Sequence, residues 1–252
     1  MIDLGPEESV RYSRQMSVPQ IGENGQRKLK AASIFLAGLG GLGSITAYQL
    51  TAAGVGCLKM VDRDTVALDN LNRQLLYTTR DVGQAKIDIA ADKLSQLNPN
   101  VDLKTVRASI TAENVLDLVS GCDIIVDATD NLAARLALNR AALTRHIPLV
   151  FGGIDGMDGM VTTVLPGQTA CLACLFKAEM DSAKERPVVG PLPGLVASIQ
   201  ALETIKWIVG AGALLANRLL RVKGSDWTIK IMRLEKNPAC PVCSHQDHDH
   251  TG

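Results

Sequence analysis

The feature that most constrains the fold is a run of glycines between an apolar segment and a helical one. Ile34-Phe35-Leu36-Ala37 leads into Gly38-Leu39-Gly40-Gly41-Leu42-Gly43, and a helical pattern follows from Ser44 to Leu50. Glycines let the backbone approach phosphate oxygens closely, and a helix N-terminus offers unpaired N–H groups. The order strand, glycine turn, helix therefore predicts a nucleotide site, with the backbone of four glycines in contact with the ligand: Gly38, Gly40, Gly41 and Gly43.

Short aliphatic segments alternate with helical patterns through the first 150 residues. Five of these segments are predicted as buried strands: Ser33–Ala37, Leu58–Val61, Leu103–Val106, Ile124–Val126 and Leu149–Phe151. Strands that alternate with helices are typical of parallel sheets with helices on both faces. We therefore predict an α/β fold with a Rossmann-like, doubly wound, mostly parallel sheet over residues 32–152.

The C-terminal part follows a different pattern and elaborates this core. Three strands are predicted, at Met160–Leu165, Leu219–Val222 and Trp227–Leu234, with an apolar helix at Leu195–Gly210. The polar, proline-rich stretch Ala178–Pro193 is expected to be a surface loop. No linker rich in Gly, Ser or Pro separates the halves, so we expect one domain over residues 1–244 and a disordered tail at 245–252.

Composition excludes several classes of function. The 26 basic residues balance 26 acidic ones and aromatic residues make up 3%, which argues against nucleic-acid binding. The N-terminus lacks a basic segment followed by an apolar run, so we predict a cytoplasmic protein. The apolar window Gly194–Leu215 holds Glu203 and Lys206 near its middle, where each charge would cost about 3 kcal/mol in a bilayer. A buried helix is expected there and no membrane span.

Charged residues follow the glycine run at spacings that suit a nucleotide. Asp62 ends the second predicted strand, 19 residues after Gly43, where a carboxylate can accept the ribose hydroxyls. The glycines and Asp62 alone do not distinguish an NAD site from an ATP site. Arg73 and Lys86 favour a triphosphate, because a triphosphate carries more charge than a dinucleotide; the alternative is that both are solvated surface charges.

Two carboxylates follow the fourth predicted strand. Asp127 and Asp130 stand at the end of Ile124-Ile125-Val126, at the sheet edge where doubly wound folds bind ligands. Carboxylate oxygens next to phosphates are typical of Mg²⁺ sites. We predict Mg²⁺ at Asp130; the alternative role for Asp127 is to cap the next helix.

Four of the six cysteines form two C-x-x-C pairs. They are Cys171, Cys174, Cys240 and Cys243. Four thiolates in two such pairs are typical of a closed tetrahedral Zn²⁺ site, which is structural because no position remains for water or substrate. The alternative, a redox pair, is disfavoured because neither pair opens a helix in a βαβ unit.

Taken together, these motifs resemble those of the ThiF/MoeB/HesA family, the bacterial relatives of ubiquitin-activating enzymes. The resemblance runs from Arg11-Tyr12-Ser13-Arg14-Gln15 through the glycine run to Cys243, which is nearly the whole chain. It implies a homodimer that uses Mg-ATP to adenylate the C-terminal glycine of a small ubiquitin-fold sulfur carrier ending in Gly-Gly, releasing pyrophosphate. The implied pathway is thiamine or molybdopterin synthesis, with a cysteine desulfurase or a rhodanese as sulfur donor.

The resemblance also assigns roles to residues. Catalysis is expected from Arg14, Arg73, Lys86 and Asp130, with Arg14 reaching the ATP of the other subunit. Asp62 would bind the ribose, and the other expected nucleotide-binding residues are Asp64, Asn70, Asn72, Gln74 and Asn131. No catalytic base is needed, because a terminal carboxylate with a pKa of about 3.5 is already ionised at neutral pH.

The sequence departs from the family at one point. The thiamine branch carries a cysteine in the loop before the long apolar helix, and the corresponding position here falls near Ala183, in a stretch without cysteine. A covalent sulfur link at that loop is therefore not expected. Two other functions remain open: an NAD-dependent oxidoreductase, which leaves Arg73 and Lys86 without a role, and a non-catalytic carrier-binding scaffold, which leaves Asp130 without one.

Overall fold

A computed structural model describes residues 3–176 and 187–244 of the chain. The strands are β1 Ser33–Ala37, β2 Cys57–Val61, β3 Asp102–Val106, β4 Ile124–Asp127, β5 Leu149–Asp155, β6 Asp158–Val164, β7 Arg218–Lys223 and β8 Thr228–Arg233. The helices are α1 Pro6–Arg11, α2 Ser13–Met16, α3 Gly22–Ala31, α4 Gly43–Ala53, α5 Lys86–Leu97, α6 Val115–Leu118, α7 Leu132–Arg145, α8 Leu172–Leu175 and α9 Pro191–Val209. Two short 3-10 turns lie at Leu68–Asn70 and Thr79–Asp81.

All these strands belong to one eight-stranded sheet in the order β3-β2-β1-β4-β5-β6-β7-β8. Strands β1 to β5 pair in parallel, and β6 to β8 continue the sheet in antiparallel pairs. The order reverses between β1 and β4, so their carboxyl ends flank a crevice of the kind that binds ligands in open α/β sheets. This confirms the predicted Rossmann-like, mostly parallel fold.

Helices cover both faces of the parallel strands. Ile34 and Leu36 of β1 belong to one buried cluster, which includes residues of α4, α5 and α9. Phe35 and Ala37 point the other way, into a cluster formed with α7 and the four paired cysteines. Because side chains alternate along a strand, a strand buried on both faces is apolar wherever it is buried, as β1 is from Ile34 to Ala37.

Helix α9 differs from its prediction at the N-terminus. We predicted a loop up to Pro193 and a helix from Leu195, but the helix begins at Pro191. Prolines at 191 and 193 suggested a break, yet proline is tolerated in the first turn of a helix, where its missing N–H has no helical partner. The C-terminus is as expected, because Gly210 ends the helix in the left-handed conformation.

Helix α9 is also long and apolar enough, by length and composition alone, to cross a membrane. Half of the helix is buried, and it packs against α3, α4, β5 and β6. Its charged Glu203 lies inside the protein, where it accepts hydrogen bonds from Thr163 Oγ1 at 2.8 Å and the Leu215 N–H at 2.6 Å. These contacts agree with the predicted buried helix.

The bounds of the other elements follow their predictions closely, with one extension and two gaps. The prediction that the third strand is buried was wrong, because β3 is the edge strand of the sheet and none of its residues is buried. Strand β5 continues to Asp155, four residues beyond the predicted end, because it pairs along its whole length with β6. Most of the predicted loop, residues 177–186 including position 183, lies outside the described residues, as does the predicted tail 245–252. The single-domain boundary at residue 244 stays a prediction.

Candidate functional site

The glycine loop connects β1 to α4 at the switch point. A Cβ on Gly43 would lie 1.8 Å from the carbonyl oxygen of Gly38, so only glycine fits there. Helix α4 starts at Gly43, and no side chain caps its first turn. The Ser44 N–H donates to the Gly40 carbonyl at 3.0 Å, and the partial positive charge of the helix N-terminus beside the loop suits an anion.

Asp62 reaches the glycine loop from the end of β2. Its Oδ2 accepts the Leu39 N–H at 2.7 Å, and its Oδ1 accepts the Asp64 N–H at 2.8 Å. Burial raises the pKa of the Asp62 carboxyl, against the opposing effect of these two N–H groups and of the Lys86 charge. The carboxylate is thus held at the predicted ribose position.

Arg73 lies against the other side of the loop. A Cβ on Gly41 would be 3.6 Å from Arg73 Cγ, so the arginine stem runs along the glycines. Its Nη1 donates to the Asp69 carbonyl at 2.8 Å and to Asn72 Oδ1 at 3.1 Å. Asn70 Nδ2 donates to Asp69 Oδ1 at 3.2 Å, so both predicted asparagines border the arginine.

Lys86 opens α5 and is buried. Its Nζ lies 3.1 Å from Asp64 Oδ2, and its side chain is 6% exposed. The alternative of a solvated surface lysine is therefore wrong. Its ammonium is close enough to Asp62 for its charge to lower the pKa of that carboxyl, so this buried cation lies near the residue that contacts the glycine loop.

Asp130 lies in the short loop between β4 and α7. This loop abuts the glycine loop, since a Cβ on Gly38 would be 2.9 Å from the Ala128 carbonyl oxygen. Asp130 is exposed, and its carboxylate accepts one contact, from Asn131 Nδ2 at 3.4 Å. Asn131 Oδ1 accepts the Ala134 N–H at 2.8 Å and so caps α7. The alternative that Asp127 caps this helix is wrong.

Arg14 is separated from the other candidates. It is exposed on α2, and the neighbouring Gln15 donates to the Ala53 carbonyl at the C-terminal end of α4. Helix α4 has 11 residues, so its two ends lie about 15 Å apart. Within one chain, Arg14 is thus near the wrong end of α4 to reach the glycine loop.

The four paired cysteines come together. The sulfur atoms of Cys171 and Cys174 are 4.0 Å apart, those of Cys171 and Cys240 3.8 Å, and those of Cys174 and Cys243 3.6 Å. A tetrahedral zinc with Zn–S bonds of about 2.3 Å places its sulfurs about 3.8 Å apart. Burial raises the pKa of the Cys171 and Cys243 thiols, and a bound cation would favour the thiolates. The cluster fits zinc.

The nucleotide site also has polar groups in need of a ligand. Gln74 is 4% exposed and lies beneath Gly40, and its Oε1 has no hydrogen-bond partner within the described part of the chain. Ser44 Oγ, in the first turn of α4, is also buried without a partner there. Buried polar atoms are rarely unsatisfied in native proteins. Of the seven such atoms among the described residues, these two lie beside the loop, where a polar ligand would give them partners.

The chain matches the ThiF family over residues 12–242. It belongs to that family. It is 40% identical over 250 residues to the sulfur carrier protein adenylyltransferase of Thermus thermophilus, covering 95% of this chain and 92% of that protein. It is 35% identical over 247 residues to the molybdopterin-synthase adenylyltransferase of Escherichia coli, covering 96% and 99%. The crystal structure of Escherichia coli MccB with succinimide superposes with a TM-score of 0.83 at 24% identity, covering 92% of this chain and 73% of that one.

In this family member, the start of α9 also borders the site, which the sequence did not indicate. A Cβ on Gly190 would be 2.2 Å from the Asn72 carbonyl oxygen, and one on Gly41 would be 3.2 Å from Pro193 Cβ. The buried Tyr77 hydroxyl donates to the Leu39 carbonyl at 3.0 Å and so helps to hold the glycine loop in place. Neither Gly190 nor Tyr77 belongs to a sequence pattern that names its partner in the site.

Proposed function

We propose that this chain is an ATP-dependent adenylyltransferase that activates the C-terminal glycine of a small ubiquitin-fold sulfur carrier. One observation carries the proposal: the glycine loop, Asp62, Arg73, Lys86 and Asp130 converge at the carboxyl ends of β1, β2 and β4. An NAD enzyme requires only the first two of these features. The two cations give the site the charge that a triphosphate needs.

The residues suit attack of a carboxylate on the α-phosphate. A carrier carboxylate oxygen forms a bond to the α-phosphorus, the bond from that phosphorus to the bridging oxygen breaks, and pyrophosphate leaves with the electron pair. Arg73 and Lys86 would bind the phosphates and stabilise the charge that develops on the leaving group. Asp130 would hold Mg²⁺, which neutralises phosphate charge when bound. Asp62 would orient the nucleotide through its ribose.

Intact-mass measurement of the carrier tests this chemistry. We expect a carrier ending in Gly-Gly, incubated with Mg-ATP and this protein, to gain the mass of one adenylyl group, which is AMP less one water, while pyrophosphate is released. The same carrier without its last glycine serves as the control. A carrier from one pathway that is adenylated would assign this chain to thiamine or to molybdopterin synthesis. The cytoplasmic location and the sulfur donor stay predictions.

The position of Arg14 supports a homodimer in which each site is completed by the other subunit. Helices α4 and α9 pack side by side, joined by a hydrogen bond from Gln49 to Ser198 at 2.8 Å, and leave apolar side chains exposed. These are Tyr48, Leu195 and Leu202. We propose that a second copy covers this face and brings its Arg14 to the nucleotide.

Subunit mixing tests this shared site. Arg14→Ala and Arg73→Ala homodimers are both expected to be inactive. Random exchange of subunits makes half of the dimers mixed, each with one intact site, so about a quarter of wild-type activity returns. If Arg14 acts within its own chain, mixing restores nothing, because every subunit then carries a defect in its own site.

The carrier must bring its C-terminus to the carboxyl edge of the sheet. Strand β7 runs parallel to β5, so the β7–β8 turn lies at this edge, where the Gly224 N–H donates to the Met157 carbonyl at 2.7 Å. Trp227, the residue directly before β8, is 76% exposed. Strands β7 and β8 carry five basic residues and no acidic one, and two of the five, Arg221 and Lys223, each pair with an aspartate outside these strands at 2.9 Å. We propose that an acidic face of the carrier docks here.

Replacement of Trp227 tests this docking surface. Trp227→Ala should raise the KM for the carrier about tenfold, because exposed aromatic residues are frequent anchors of protein interfaces. The KM for ATP should stay unchanged. Val10→Ala, on α1, removes an equally exposed side chain and is the control. An unchanged carrier KM in Trp227→Ala would rule out this surface.

A further inference from the structure

Arg135 is a buried cation near the N-terminus of α7, which is an unfavourable place for a positive charge. It is the fourth residue of α7, and its side chain is only 11% exposed. A cation near a helix N-terminus is disfavoured by the helix dipole, and burial of a guanidinium adds a desolvation cost. The groups around Arg135 must therefore compensate both costs.

Two of these groups belong to the loop that carries Asp130. Arg135 Nε donates to Asp127 Oδ2 at 3.2 Å, and Nη2 donates to the Thr129 carbonyl at 2.8 Å. Asp127 is fully buried, and its other oxygen accepts the Thr129 N–H at 2.9 Å and the Thr129 hydroxyl at 2.6 Å. Arg135 thus holds the loop before Asp130 through Asp127 and Thr129. The residue after Asp130, Asn131, is held by its cap on α7.

Two aromatic rings hold the guanidinium in place. Its central carbon lies 4.6 Å from the ring centre of Phe151 and 5.3 Å from that of Phe176, and the two rings meet edge to face. Phe176 follows Cys174 by two residues, and its N–H donates to the Leu172 carbonyl at 2.8 Å. The ring that packs on Arg135 therefore belongs to the same short segment as Cys171 and Cys174.

Helix α7 makes a second contact with that cluster one turn later. Asn139, four residues after Arg135 and on the same face, is fully buried, and its Oδ1 accepts the Leu172 N–H at 2.8 Å. One face of α7 thus contacts the Asp130 loop at one end and the segment between Cys171 and Cys174 at the other. The two sites share a rigid support.

We propose that Arg135 is a positioning residue that holds the Asp130 loop for metal binding, and that the cysteine cluster contributes by seating Phe176 over it. The proposal rests on the proposed function of Asp130 as the Mg²⁺ ligand. Both hydrogen-bonding nitrogens of Arg135 face the protein, so it acts through the loop and not on the nucleotide. Residues behind a metal ligand commonly change metal affinity 10- to 100-fold when replaced.

Nucleotide binding with and without metal tests the proposal. The variants are Arg135→Lys, which keeps the charge but loses the planar fork, and Phe176→Leu, which removes only one ring. Titration calorimetry would measure the affinity for ATP in Mn²⁺ and in EDTA, with zinc content measured in parallel. Arg140→Lys, an exposed arginine on the same helix, is the control.

Arg135→Lys should weaken ATP binding in Mn²⁺ about tenfold and leave binding in EDTA within twofold, with zinc retained. Phe176→Leu should weaken Mn²⁺-ATP binding about threefold, and this variant decides the matter if Arg135→Lys does not fold. Unchanged binding in Mn²⁺, or an equal loss in EDTA, would overturn the proposal. The titration needs no carrier, so its result stands even if the protein adenylates no carrier. A wild type that binds no Mn²⁺-ATP would overturn both the role of Arg135 and the proposed function.

Discussion

Arg73→Ala is expected to lower carrier-dependent ATP–pyrophosphate exchange by about a thousandfold, the range seen when an arginine that stabilises a phosphoryl transition state is lost. The stem of Arg73 lies along Gly41, and its Nη1 is held by Asp69 and Asn72. The guanidinium is therefore oriented before the nucleotide binds. Asp130→Asn should reduce exchange to a similar extent, because an amide binds Mg²⁺ far less well than a carboxylate.

Two control variants separate chemistry from folding. Arg80→Ala removes an exposed arginine from the nearby 3-10 turn, and Asp117→Asn neutralises an exposed carboxylate on α6. Both should keep wild-type exchange. Asp130→Asn, Arg80→Ala and Asp117→Asn should unfold within about 2 °C of the wild type, since solvent-facing substitutions change stability little. All four variants should elute with the same apparent mass. Wild-type exchange in Arg73→Ala would contradict the assignment of its role.

Cys240→Ser is expected to lower the melting temperature by about 10 °C and to abolish stoichiometric zinc. Cys240 is fully buried, and its sulfur lies 3.8 Å from that of Cys171, so the cluster ties the chain after β8 to the segment that holds α8. Loss of one ligand releases the metal, and a loss of about 3 kcal/mol corresponds to roughly 6–12 °C in a chain of this size.

The matched control for this variant is Cys57→Ser. Cys57 is half-buried at the start of β2 and lies outside the four-cysteine cluster. It should keep one zinc per chain and a near wild-type melting temperature. Differential scanning calorimetry and metal analysis of the same samples measure both effects. Purified wild type without zinc, or a Cys240→Ser protein as stable as Cys57→Ser, would contradict a structural metal.

The glycine loop and its sheet were predictable because their physical demands are local. A strand buried on both faces is apolar at its buried positions, as β1 is from Ile34 to Ala37, and the turn after β1 has no room for a Cβ at Gly43. The residue types at these positions therefore predict the local structure. The same reasoning placed Asp62 and Asp130 at the carboxyl edge. Once strands alternate with helices, the parallel order brings the ends of β1, β2 and β4 together.

The parts that sequence could not predict depend on contacts between distant segments. Gly190 packs on Asn72, and Phe176 packs on Arg135, with no local pattern in either case to name the partner. Arg135 is the one residue of this set with an unusual position in its own helix, since a cation near the N-terminus of a helix is disfavoured by the helix dipole. The close approach of the four cysteines followed from ligand chemistry, but the support that α7 gives them did not.

The measurement that tests the central claim most directly is carrier-dependent ATP–pyrophosphate exchange by the wild-type protein, with Mg²⁺ and candidate carriers that end in Gly-Gly. The account predicts exchange with one carrier and none when that carrier lacks its last glycine. No exchange with any cognate carrier, from protein shown to be folded and zinc-loaded, would contradict it. Stable retention of NAD without ATP binding in the same preparation would assign the glycine loop to a dinucleotide instead.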